Sequence, residues 1–183
     1  MINDTQREDA NMTEPTTAAE TLAFHKLRKS DPQRAAQIAS RWLENNPTSA
    51  TALYSRHVAW MELGDTQRAL DDLDKSIELH PHPMSYLSRA EVYRHIGEYE
   101  KAIDDFGRGE AMDPARWREN AMPLLYQADT YARLGDEIHA LACCAKLPDH
   151  FWTPGPDGTP AGGKAEIAHE LTRRAAGARR QRS

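Results

Sequence analysis

The chain has 183 residues, of which 39% are hydrophobic and 28% charged, and a formal net charge of −5. That length supports one domain of ordinary size with a core, and the apolar content is above that of a disordered chain. The acidic balance argues against nucleic-acid binding by bulk electrostatics. No apolar run approaches the roughly 20 residues of a membrane helix.

In chain order, residues 1–15 are polar, without periodicity and without the apolar centre of a secretory signal, and read as a disordered tail. A first helix is expected near Thr17–Lys29, carrying Leu22, Ala23 and Leu27. Asp31-Pro32 reads as a cap with proline in the first turn of the next helix, whose Ala35, Ala39 and Trp42 share one spacing. Three short strings then recur: Leu63-Gly64-Asp65, Ile96-Gly97-Glu98 and Leu134-Gly135-Asp136. Each glycine ends one amphipathic segment in the left-handed region, and the acid after it caps the next.

The flanking residues keep register with those glycines. Eleven before stands Leu53, Tyr86 or Leu124; seven before, His57, Ala90 or Ala128; four before, Trp60, Tyr93 or Tyr131. Five after is Ala69, Ala102 or Ala140; nine after, Leu73, Phe106 or Cys144; seventeen after, Pro81 or Pro114. The small residues let antiparallel helices approach and the large ones fill the space beside them. The pattern resembles the tetratricopeptide repeat, a helix-turn-helix unit of about 34 residues, and the match covers about 50–147.

The resemblance implies an all-α fold, an αα-superhelix of helical hairpins. The expected domain spans 16–148: a degenerate repeat at 16–49 without its turn glycine, then repeats at 50–82, 83–116 and 121–148, with Ala115–Asn120 as an insertion. His57 replaces a small residue, which predicts a splayed hairpin or a hydrogen-bonded ring. Residues 149–163, rich in proline and glycine, read as a non-helical linker with Phe151 and Trp152 as anchors. Residues 164–183 read as a capping helix and basic tail, Ile167, Ala168, Leu171 and Ala175 sharing one face. The alternative is that this segment folds into the groove of the repeats. Arg173, Arg174, Arg179, Arg180 and Arg182 read as a solvated end; the sharper reading is an anionic partner.

No catalytic, metal or cofactor constellation emerges, so neither a cofactor nor an enzymatic activity is expected. The histidines are scattered, and the close pair His80 and His82 lacks acidic or thiol companions at ligand spacing. The two cysteines, Cys143 and Cys144, are adjacent, which disfavours an unstrained disulfide. Reduced thiols imply a cytoplasmic protein, with Cys144 in a core slot. Asp71-Asp72 and Asp104-Asp105 recur with the repeat and read as solvated outer-face carboxylates.

The resemblance also implies which side chains of the first helices line a concave groove. They are Tyr54, Val58 and Met61; Met84, Leu87, Glu91 and Arg94; and Met122, Leu125, Tyr126, Asp129 and Arg133. The set is apolar for a surface. The basic residues with which chaperone-binding members of the family hold a terminal carboxylate are missing. The expected function is therefore an adaptor that binds an apolar peptide or helix of a protein partner, with no membrane or nucleic-acid role. Self-association into a homo-oligomer is the competing reading, its groove filled by a second copy or by the chain's own C-terminal segment.

Overall fold

Most helix starts among the described residues carry a side chain that accepts from an unpaired backbone amide; Glu98, expected to cap the helix after Gly97, makes no such side-chain bond. The computed structural model describes residues 12–15 and 17–182. They form two compact units that part between Pro81 and His82. No helix among the described residues is long and apolar enough to cross a membrane.

In the first unit, Thr17 and Glu20 form a capping box that opens α1, Ala18–Ser30. Asp31 caps α2, Pro32–Asn45, with proline in its first turn. Ser49 caps α3, Ala50–Glu62, and Asp65 caps α4, Thr66–Leu79. Gly64, at φ 74°, makes the turn between the last two. The buried cluster joins Phe24 and Trp42, with ring centroids 4.8 Å apart, to Ala35, Ala36, Ile38, Ala39, Ala52 and Ala59. The degenerate hairpin lacks a turn glycine because Asp31 ends α1 and caps α2 at once.

Residues 1–11 of the expected tail lie outside the described residues. Residues 12–15 do not stand apart from the fold. The Trp42 indole Nε1 donates to the Met12 carbonyl at 2.7 Å, and the Ser49 hydroxyl donates to Glu14 Oε2 at 2.9 Å. A buried indole N–H needs an acceptor, and this segment supplies it.

In the second unit, His82 caps α5, Pro83–His95, by accepting from the Met84 amide through Nδ1 at 3.2 Å. Next come α6, Tyr99–Met112, then α8, Ala121–Arg133, and α9, Glu137–Ala145. Between α6 and α8 the expected insertion folds as a short helix, α7, Pro114–Glu119. Asp113 ends α6 and caps α7, with Pro114 in the first turn of α7. Trp117 of α7 packs over Gly109, where an added Cβ would lie 2.6 Å from the indole.

The expected linker is partly structured. Trp152–Thr153 (β1) pairs antiparallel with Gly162–Gly163 (β2) around a 3-10 turn at Pro156–Gly158. Phe151 packs against the core as expected, but Trp152 is 68% exposed and anchors nothing. The last helix, α10, Lys164–Arg182, caps the final hairpin by packing on α8 and α9. Ile167, Leu171 and Ala175 are buried in one cluster with Leu124, Leu125, Ala128, Phe106 and Leu147.

A polar layer repeats with the hairpins and corrects the reading of the paired aspartates. Asp72 and Asp105 are buried, not solvated; Asp71 and Asp104 are the exposed members. Arg56 reaches Asp72 through Nε at 3.0 Å and Nη2 at 2.6 Å. Arg89 reaches Asp105 through Nε at 2.7 Å and Nη2 at 2.8 Å. Both pairs are forked and tie the first helix of a hairpin to its second. In the third hairpin the equivalent positions hold Gln127 and Cys143, both buried.

His57 fills the place of the expected small residue. Its ring is buried edge-on against Tyr54, with centroids 4.8 Å apart. Burial, aided by the nearby Arg28 charge, lowers its pKa to about 4. The unfolded imidazole titrates near its ordinary value of about 6.5, so its stability contribution is intact above that pH and is lost as pH falls toward 4. Wild type should lose about 2 kcal/mol by pH 5 relative to His57→Ala, read as the difference between their urea-unfolding curves at pH 7 and 5.

The two helical glycines of α6 should respond in opposite directions. Gly109→Ala collides with a rigid indole and should cost more than about 1 kcal/mol. Gly107→Ala meets nothing within 4 Å and should stabilise by about 0.5–1 kcal/mol. Thermal unfolding followed by circular dichroism separates them.

Candidate functional site

The twelve residues expected on the groove fall into two sets. In the first unit Tyr54 is 49% exposed, with Val58 and Met61 half-buried beside it on α3. In the second unit Met84, Glu91, Met122, Tyr126 and Arg133 are half-buried, and Met84, Met122 and Tyr126 pack on the same core cluster. Leu87, Arg94, Leu125 and Asp129 are instead buried. They are expected on the groove, but α8 packs against both α5 and α10, and Leu87 and Leu125 lie in the core cluster.

Asp129 is the centre of that covered region, at 0% exposure. Three helices each direct a guanidinium to it. Arg174 Nη1 of α10 lies 2.5 Å from Oδ1, Arg133 Nε of α8 lies 2.7 Å from Oδ2, and Arg94 Nη1 of α5 lies 3.6 Å from Oδ2. The Arg94 guanidinium also stacks 4.7 Å above the Tyr126 ring. A carboxylate so enclosed requires such partners, because an unpaired buried charge costs several kcal/mol. Through the Arg174 pair Asp129 ties the capping helix to α8, while Arg94 and Arg133 share the same buried carboxylate.

The loop completes the arrangement. The Gly158 carbonyl accepts from Arg133 Nη2 at 3.1 Å and from Arg174 Nη1 at 2.7 Å. Glu170 accepts from Arg173 and Arg174, and the Arg173 bond in particular lowers its pKa to about 2. Arg179 binds Glu137 and the Gly135 carbonyl. Within the basic tail, Arg173 and Arg179 are exposed yet form ion pairs, with Glu170 and Glu137, and Arg174 is half-buried against Asp129; the Arg182 side chain lies outside the described residues.

Sequence reasoning missed the partnership of Asp129 with Arg174 and Gly158. One signal pointed to it. Asp129 is the one carboxylate of α8, at helical spacing from Leu125 and Ala132, and a carboxylate on an apolar face demands a cation from elsewhere in the fold.

The thiols and the buried imidazole are chemically quiet. Burial raises the Cys143 pKa to about 11 and raises that of Cys144 too, so both stay protonated at neutral pH. Cys144 donates weakly to the Lys164 carbonyl at 3.7 Å. His57 remains neutral for the reason given above.

This is the geometry of a helical-hairpin interaction module. The family model of the tetratricopeptide repeat matches residues 21–82 and 59–116, together more than half of the chain, and the chain belongs to that family. Among curated proteins it is similar to FK506-binding protein-like from Mus musculus, 41% identical over 68 residues. That match covers 37% of this chain and 20% of the mouse protein, so the chain spans about a fifth of that relative's length. Several solved structures share the fold, among them the following two. A tetratricopeptide repeat protein from Parabacteroides merdae is 18% identical, with a TM-score of 0.66 over 85% of this chain and 58% of its own. MamA from Desulfovibrio magneticus is 19% identical, with a TM-score of 0.63 over 100% of this chain and 99% of its own.

The Asp129 cluster sets a clear order of stability losses. Asp129→Asn leaves three guanidiniums around a neutral amide and should cost about 3 kcal/mol or more. Arg174→Ala leaves Asp129 two partners and should cost about 1–2 kcal/mol. Urea unfolding of both variants, followed by helical ellipticity, measures the two values.

Proposed function

We propose that this protein is a non-catalytic adaptor that docks an apolar segment or helix of a partner protein on the first helices of its hairpins. The observation that carries this reading is the row of adaptable side chains Met84, Met122 and Tyr126 in the second unit, half-buried on one core cluster. Methionine and tyrosine present large contact area at low cost in order and suit apolar ligands. Glu91 beside them supplies a charge for register. Tyr54, Val58 and Met61 offer a second face of the same kind in the first unit.

Burial refines which residues test this. Leu87 is a core residue, so Leu87→Asp would unfold the unit before it said anything about binding. Met84 and Met122 are the informative pair.

The hydrogen bonds of the Gly158 carbonyl to Arg133 and Arg174 favour a second, narrower reading. In it, the loop at 149–163 holds the end of the groove face nearest α10, and partners engage only the Met84, Met122 and Tyr126 end.

The double variant Met84→Glu, Met122→Glu should retain its helical circular dichroism and lose partner capture by at least about tenfold. Affinity capture from the native host with wild type and variant side by side measures this. Equal capture by the two proteins would sink the proposal. Light scattering across a concentration range decides whether the captured partner is a second copy.

A further inference from the structure

The arginines of the capping helix are not used by the apolar faces, and they shape a site of their own. Between α10 and the end of α8 lies a surface cavity of about 540 Å3 whose lining includes Tyr99, Arg133, Glu170, Arg173, Arg174 and Gln181. Three guanidiniums converge here in a chain whose net charge is −5. Glu170 is the carboxylate of the lining, and Asp129 lies buried behind it, held by Arg133 and Arg174. Three cations facing two carboxylates leave the cavity with a positive surplus.

The donors are incompletely used. The Gly158 carbonyl, a neutral oxygen, serves both Arg133 and Arg174. Among the described residues, Arg173 binds Glu170 through Nε and Nη2, leaving Nη1, and Arg174 uses Nε and Nη1, leaving Nη2. The Tyr99 hydroxyl lies 3.5 Å from Arg133 Nη1 on the same wall.

A ligand carboxylate would only repeat what Glu170 already offers. A phosphate monoester brings a charge of about −1.5 to −2 and three acceptor oxygens. Forked guanidiniums match that geometry, and a charged acceptor outcompetes a neutral carbonyl. We propose that this cavity binds a phosphate-type oxyanion, with Arg133, Arg173 and Arg174 as its donors, Tyr99 at its rim and Glu170 as the internal competitor. The site shares Arg133 with the expected groove, and its other residues lie outside the apolar docking faces.

The test is a titration of the full chain at about pH 7.5 and constant ionic strength, following arginine Nε–H and Gly158 amide resonances by NMR. Inorganic phosphate and a phosphoserine peptide are the two probes. Saturable shifts at Arg133, Arg173 and Arg174 are expected with one or both. Tighter binding of the peptide assigns a phosphorylated chain as the source, and equal binding assigns the free ion. Arg173→Gln, whose exposed side chain pairs with Glu170, should weaken binding about tenfold. Glu170→Gln removes the competitor and should tighten binding, a gain that misfolding cannot produce. Absence of saturable shifts with both probes, unchanged affinity in Arg173→Gln, or no gain in Glu170→Gln would each overturn the proposal.

Discussion

A helical hairpin buries one side of each helix against its own partner and leaves another side apolar. Every hairpin must therefore be covered by a neighbour, and the last must be covered by something that does not itself need covering. In the second unit this requirement falls on α10. Its inner stripe, Ile167, Leu171 and Ala175, is fully apolar and buried, while its outer positions carry Glu166, His169, Arg173 and Arg180. One helix thus ends the apolar core and presents a polar surface.

Apolar burial alone does not specify how such a helix lies on the hairpin, since it is non-directional. Asp129 supplies the direction. Its carboxylate is satisfied only when Arg94, Arg133 and Arg174 converge on it, so the rotation and register of α10 are tied to one buried point. The Gly158 carbonyl extends the tie to the loop. The same device operates on a smaller scale inside the hairpins. Arg56 with Asp72 and Arg89 with Asp105 set the pairing of first and second helices, whereas the third hairpin holds Gln127 and Cys143 at those positions and packs on α10.

Much of the fold was legible because it depends on local chemistry. The turn glycines Gly64, Gly97 and Gly135 all have positive φ, which side-chain sterics reserve for glycine. The capping residues Thr17, Asp31, Asp65 and Asp136 each accept from a backbone amide, and a cap acts within one turn of its own residue. The alanines at the helix crossings are fully buried, since their spacing already encodes the face that meets the next helix. The candidate site was legible only in part. Met84, Met122 and Tyr126 stayed at the surface, but Leu87, Leu125, Arg94 and Asp129 share their helix face and are covered. Spacing places a residue on a side of a helix; how far the next helix reaches over that side is a long-range matter.

By itself, then, the sequence determined the hairpins, their turns, their caps and the need for a terminal helix, because each follows from contacts within a few residues or from a repeated period. Tertiary structure decided the rest. It buried Asp72 and Asp105 with arginines sixteen residues away. It turned an insertion into a helix resting on Gly109, and it drew Arg174 across forty-five residues to Asp129. A charge reveals its partner only when the chain has brought distant segments together and removed the water between them, and no local pattern records that approach.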